Sequence, residues 1–195
     1  MKKLILIMLM IGLNCIAQKS KSVVYSYENT STLLQFLNDS KVNYDVKDLA
    51  VLNHINNWIG YKNKNIIVIP NVFFFNKRGE RITEDFNAMS CGQVIKDIDK
   101  ISSLKTDPND NISTWLEGLS FPFTNEEVFP EPYDLYVVIF YAKMVKTKTS
   151  NPTAFNWYNS LKENKSLKIK PILLSLDIMD NWEMSDSQKK ALNLK

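Results

Sequence analysis

The chain has 195 residues, with 24 lysines and arginines against 21 aspartates and glutamates, a formal charge of +3 at pH 7. Hydrophobic residues make up 45% and charged residues 23%, which suits a globular protein of one large domain or a small domain plus part of a second. The basic residues are spread along the chain, which excludes the clustered face that nucleic-acid binding needs, and nothing after the first residues is apolar enough for an integral membrane segment.

The chain starts with a targeting pattern. Lys2-Lys3 supply a positive end, Leu4 to Leu13 a short apolar core, and Cys15-Ile16-Ala17 small residues before a cut after Ala17. Residues 1–17 are therefore expected to be a signal peptide, and the protein to be exported, either periplasmic or secreted. A lipid anchor on Cys15 is the competing reading. Asn14 argues against it, because lipoprotein signals place a smaller residue there. Cleavage leaves Cys91 as the one thiol, so no internal disulfide is expected and the core must carry the stability.

From Ser22 to Tyr27 a Val- and Tyr-rich segment predicts a strand. Asn29-Thr30-Ser31 is a capping cluster, followed by Leu33, Leu34, Phe36 and Leu37 at helical spacing. Val42, Tyr44 and Val46 alternate with polar residues, predicting a strand over 42–49. Leu52, Ile55, Trp58 and Ile59 mark a short helix that stops at Gly60. An apolar run ends at Ile69-Pro70, and Val72-Phe73-Phe74-Phe75 predicts a strand. Asn76-Lys77-Arg78-Gly79 is a turn, Glu80 to Asn87 a second strand, and Ser90 opens a helix. Residues 105–134 are expected to be an irregular linker. It breaks at Thr106 to Asn111, is punctuated by Pro122, Pro130 and Pro132, and is anchored by Phe121, Phe123 and Phe129, with a short helix over 114–119. LYVVIFYA at 135–142 predicts a strand buried on both faces. A helix carrying Phe155, Trp157, Tyr158 and Leu161 follows, with Pro152 near its start. LKIKPILLSL at 167–176 predicts another buried strand, and a last helix runs over 185–194.

A strand, a Gly turn, a second strand and a capped helix, entered through Ile69-Pro70, resemble the C-terminal half of the thioredoxin/glutaredoxin-like superfamily. Residues 18–104 resemble one complete unit of that fold. Residues 135–195 resemble its N-terminal half, in which a strand of the VVIFYA type leads into the redox turn. The resemblance implies an α/β fold: a thioredoxin-like mixed sheet flanked by helices, with an additional C-terminal β-α-β-α half-domain. A rearranged single domain, with the late strands joining the early sheet, is the alternative. It also implies a cis peptide bond at Pro70.

The chemistry attached to that family is missing. Its thiol exchange needs a thiolate at a helix N-terminus and a second Cys three positions on. Neither Glu28 to Thr32 nor Lys143 to Ser150 contains sulfur in a cysteine. Two functions follow. The first is a non-catalytic peptide- or protein-binding or scaffold module of the cell envelope, using Asn29, Thr30, Ser31, Thr32, Ile69 and Pro70 to hold a partner. The second is a single-thiol enzyme (reductase, peroxidase or isomerase) working through Cys91. His54 is the sole histidine and is expected on a solvent-facing helix surface. Asp177, Asp180, Glu183 and Asp186 lie close in sequence but lack ligand spacing, so neither metal nor cofactor is expected.

Overall fold

The computed structural model describes residues 25–83, 98, 101, 104–129, 132–145 and 149–194. The leader with Cys15, the first residues of the predicted 22–27 strand, the end of the predicted 80–87 strand, and the Ser90–Cys91 helix start lie outside them. The described chain is α/β. Seven strands form one mixed sheet in the order β5-β4-β3-β7-β8-β2-β6, and β1 and β9 form a separate parallel pair.

Strand β1 (Tyr27–Glu28) leads into helix α1 (Thr30–Asp39). A 3-10 turn (Val46–Asp48) precedes β2 (Leu49–Leu52), followed by α2 (Ile55–Asn63), β3 (Asn71–Asn76) and β4 (Glu80–Ile82). Strand β5 (Thr106–Asn111), α3 (Ile112–Glu117) and β6 (Leu119–Ser120) come next. Then follow β7 (Leu135–Tyr141), α4 (Ser150–Glu163), β8 (Ile169–Ser175), β9 (Ile178–Met179) and α5 (Asp186–Ala191).

The centre of the sheet is explained by its composition. β7 lies between β3, antiparallel to it, and β8, parallel to it. Its side chains alternate between two cores. Val138 and Phe140 join Phe73, Phe75, Ile172 and Leu174 on one face. Val137, Ile139 and Tyr141 join Phe74 and Leu173 on the other. A strand buried on both faces must be apolar at every position, which is why LYVVIFY reads as an unbroken run. α2 covers the first face with Ile55 and Trp58, and α4 covers the second with Ala154, Phe155, Tyr158 and Leu161.

Strands from the early and late parts of the chain thus interleave in one sheet: β7 and β8 sit between β3 and β2, as in the rearranged arrangement. The stretch expected to be an irregular linker is also more regular than its composition suggests. β5 and β6 form the two edges, and Phe121, Phe123 and Phe129 pack against the core as anchors. Pro108 lies in β5, where Glu80 pairs with Asn111 but Arg81 with Asp107, so the ladder bulges between them. Proline is tolerated at an edge and in a bulge because no ladder hydrogen bond is lost there.

Three further expectations are corrected. The second strand is not at 42–49 but at Leu49–Leu52, because this strand lies between β8 and β6 and needs burial on both faces. Val46, part of the alternating pattern, is 37% exposed. α2 does not stop at Gly60 but runs to Asn63. Pro152 is the third residue of α4 rather than the first, still within the turn whose N–H groups lack helical partners.

Candidate functional site

The β3–β7 register sets Asn71 opposite Phe140, so Ile69-Pro70 and Ala142 to Val145 leave neighbouring strands at the same end of the sheet. The Ile69–Pro70 bond is cis. Between these loops and α2 lies a groove of about 400 Å³, lined by Tyr25, Trp58, Lys62, Ile67, Val68 and Met144. Val68 is 55% exposed, one of two large hydrophobic side chains exposed among the described residues.

Both walls are held by hydrogen bonds. The Val68 N–H donates to the Ile66 carbonyl at 2.8 Å, and the Asn71 amide reaches the same oxygen at 3.3 Å. Among the described residues, no backbone–backbone hydrogen bond uses Ile67 or Ile69. A short stretch without backbone partners among the described residues therefore borders the groove. On the other wall, Asn151 closes the 142–145 turn, accepting from the Ala142 N–H at 3.2 Å and donating to the Ala142 carbonyl at 2.8 Å.

Asp177 anchors that turn from below. Its carboxylate accepts the backbone N–H groups of Lys143 at 2.8 Å and Met144 at 3.0 Å, and the Ser175 hydroxyl at 2.8 Å. The residue is 1% exposed. Burial raises the Asp177 carboxyl above the ordinary aspartate value, the three donors only partly offset it, and the nearby Glu28 charge adds to the rise. Glu28 shifts the other way. Burial raises it, but hydrogen bonds from Lys143, Thr32 and Ser26 outweigh burial and leave it below the ordinary value. The Lys143 ammonium sits 2.6 Å from Glu28, and the Thr32 hydroxyl 2.7 Å from it.

The residues expected to bind a partner do not all meet. Ile69 and Pro70 stand beside the groove. Asn29 and Thr32 form a capping box, with the Thr32 N–H donating to Asn29 Oδ1 at 3.0 Å and the Asn29 N–H to Thr32 Oγ1 at 3.0 Å. Ser31 is exposed on α1. Asn29 and Thr30 line a different cavity, of about 180 Å³, with Pro122, Asp180 and Trp182. His54 is not a solvent-facing helix residue but the N-cap of α2, its Nδ1 accepting from the Asn56 N–H at 3.1 Å. Cys91 lies outside the described residues. Among those described, no three His, Cys, Asp or Glu converge to hold a metal ion, and no helix is long and apolar enough to cross a membrane.

Sequence reasoning placed Glu28, Lys143 and Met144 in candidate turns and Asp177 in an acidic cluster, and missed that the four come together. The signal was available for two of them: a buried strand ending in VVIFYA pointed at Lys143 and Met144 as the turn. Asp177 and Glu28 are joined to it only by tertiary contacts. Comparison with protein-family models, with characterised proteins and with solved structures finds no match.

Proposed function

We propose that this chain is an exported, thioredoxin-like, non-catalytic module that binds an extended peptide or protein segment in the Val68–Met144 groove. The observation that carries the reading is the backbone at Ile67 and Ile69, without a backbone hydrogen bond among the described residues, beside an exposed Val68 and an apolar wall. A peptide laid along that stretch would gain main-chain hydrogen bonds from it and set a side chain against Trp58 and Met144. Support for a thioredoxin-like origin is topological. A parallel β7–α4–β8 unit lies next to a β3–β4 hairpin entered through Pro70, with the turn after β7 and the Pro70 loop at one end. The chain order differs, since the hairpin half precedes the β-α-β half. The sequence from Lys143 to Thr149 carries no cysteine, so thiol exchange has no sulfur there to use. The leader pattern from Lys2 to Ala17 supports export.

The test is fluorescence anisotropy with labelled six-residue peptides rich in Val and Leu and flanked by Glu, since Lys62 sits on the groove. Val68→Asp puts a charge in the apolar wall at an exposed position, where folding is unaffected. It is expected to weaken the tightest peptide by about tenfold or more. Equal affinity in wild type and variant would overturn the groove as the binding site.

A further inference from the structure

α2 has a second working face. Trp58 and Lys62 face the peptide groove, while Gly60, Tyr61 and Lys64 line a second cavity of about 670 Å³ on the far side. Its other walls come from β4, β5 and α3, including Arg81, Asp110 and Trp115. This volume is in the range of small-molecule sites.

The lining has a definite chemistry. Lys64 and Arg81 are balanced by Asp110 and Glu117, so the cavity carries no net charge. Arg81 and Asp110 already neutralise each other at 2.8 Å, and the remaining Asp110 oxygen accepts the Trp115 indole N–H at 2.7 Å. Asn56, Asn57 and Asn109 line the same space and keep amide capacity beyond their bonds within the chain, whereas the Asn111 amide is taken up by Arg78 and Ser113 as the α3 cap. Tyr61 and Trp115 pack with ring centroids 5.4 Å apart and give the wall an aromatic part. The Tyr61 hydroxyl is buried with no hydrogen-bond partner. That hydroxyl is closed to solvent, so Tyr61 offers the cavity its ring rather than its hydroxyl.

Gly60 shapes the cavity from the helix side. It lies inside α2, where glycine is a poor helix former, yet a Cβ built on it meets nothing within 4 Å. Packing of the chain itself gives no reason to omit a side chain. Its absence keeps one wall of the cavity open.

We propose that this cavity binds a neutral polyhydroxylated ligand, a carbohydrate of one or two sugar units. Amides that pair with hydroxyls, aromatic rings for the apolar faces of a sugar, and a pre-neutralised ion pair select such a molecule over an anion. The site is separate from the peptide groove, so it stands or falls independently of it.

The probes are cellobiose, maltose and chitobiose, with glucuronic acid as the anionic comparator, titrated to millimolar concentration while amide and indole N–H shifts are followed. At least one neutral disaccharide is expected to give saturable shifts at Gly60, Tyr61 and the Trp115 indole. Gly60→Leu, which fills the opening, is expected to cut its affinity by about tenfold or more while leaving the thermal midpoint unchanged or higher. Asn56→Ala, at an exposed position, provides a second variant, expected to weaken binding without changing the fold. The absence of shifts with all three disaccharides would overturn the proposal. So would tighter binding of glucuronic acid, or unchanged affinity in both variants.

Discussion

Replacing Asp48 by alanine removes one carboxylate from a network that has almost no water. The Asp48 side chain is 5% exposed and that of Lys170 is 4% exposed. Asp48 accepts from the Lys170 ammonium at 2.8 Å, the Tyr158 hydroxyl at 2.8 Å and the Lys162 ammonium at 3.0 Å. Lys170 also donates to the Lys47 carbonyl at 2.9 Å and lies 5.6 Å from the centre of the Phe129 ring. Among the described residues it has no second carboxylate within ion-pair distance. Asp48→Ala therefore leaves a buried ammonium with one carbonyl and a ring, and is expected to cost about 3–5 kcal/mol. In a chain of this length that is about 6–20 °C in Tm.

The opposite single change is milder. Lys170→Met leaves Asp48 paired with Lys162 and Tyr158, so the loss is expected at about 1–3 kcal/mol. The double variant Asp48→Ala with Lys170→Met buries no unpaired charge; it leaves the Tyr158 hydroxyl without its acceptor, the Lys47 carbonyl without its ammonium donor, and the partly exposed Lys162 with Asp45 at 3.9 Å. It is expected to be more stable than Asp48→Ala alone. The assay is urea unfolding followed by tryptophan fluorescence, with unchanged m-values as the condition for comparing midpoints. A loss below about 1 kcal/mol in Asp48→Ala would refute the claim that this pair is desolvated, as would strictly additive effects.

Carboxyl resonances should show the Asp177 midpoint above the ordinary aspartate value and the Glu28 midpoint below the ordinary glutamate value. The consequences for stability have opposite signs. The Glu28 contribution is present above its unfolded pKa and is lost as pH falls through the lower folded value. The Asp177 contribution is greatest when the group is protonated, and declines as pH rises from its unfolded pKa through the higher folded one. Ordinary midpoints for both groups would contradict the geometry described for the 142–145 turn. Gly79 has φ of +80°, and a Cβ there would meet Asn111 Oδ1 and Ile112 Cγ2 at 2.8 Å, so Gly79→Ala should destabilise by at least about 1–2 kcal/mol in urea melts. Asn29→Ala should cost about 1 kcal/mol through the lost cap and leave peptide affinity unchanged; weakened peptide binding at constant stability would return the Asn29 turn to the binding site.

Much of the sheet was legible because its central strands are buried on both faces. Unbroken runs such as VVIFY and ILLSL need no partner to be recognised, and the FFF block with its Gly turn marked the hairpin. β2 was harder. Alternation at Val42, Tyr44 and Val46 mimics a half-buried strand, while the real strand is the short run LAVL just beyond it. β5, with the sequence TDPNDN, could not be read locally at all, since only pairing with β4 makes it a strand. Site residues followed the same division. Pro70 and the turn after β7 were visible as sequence punctuation. The Glu28–Lys143 contact spans 115 residues and the Asp177 hydrogen bond to Lys143 spans 34, and no periodicity encodes either. Asn29 and Thr32 looked like a binding turn because cap residues and ligand-binding polar residues are the same types, and their hydrogen bonds serve the helix.

The central claim is that a partner pairs with the backbone beside Val68. Amide hydrogen exchange at Ile67 and Ile69, measured with and without a saturating amount of the tightest peptide, tests it most directly. The account predicts marked slowing at one or both of these amides, with the Val68 amide, already bonded to the Ile66 carbonyl, changed least. Unaltered exchange at both positions while the peptide is demonstrably bound would contradict it.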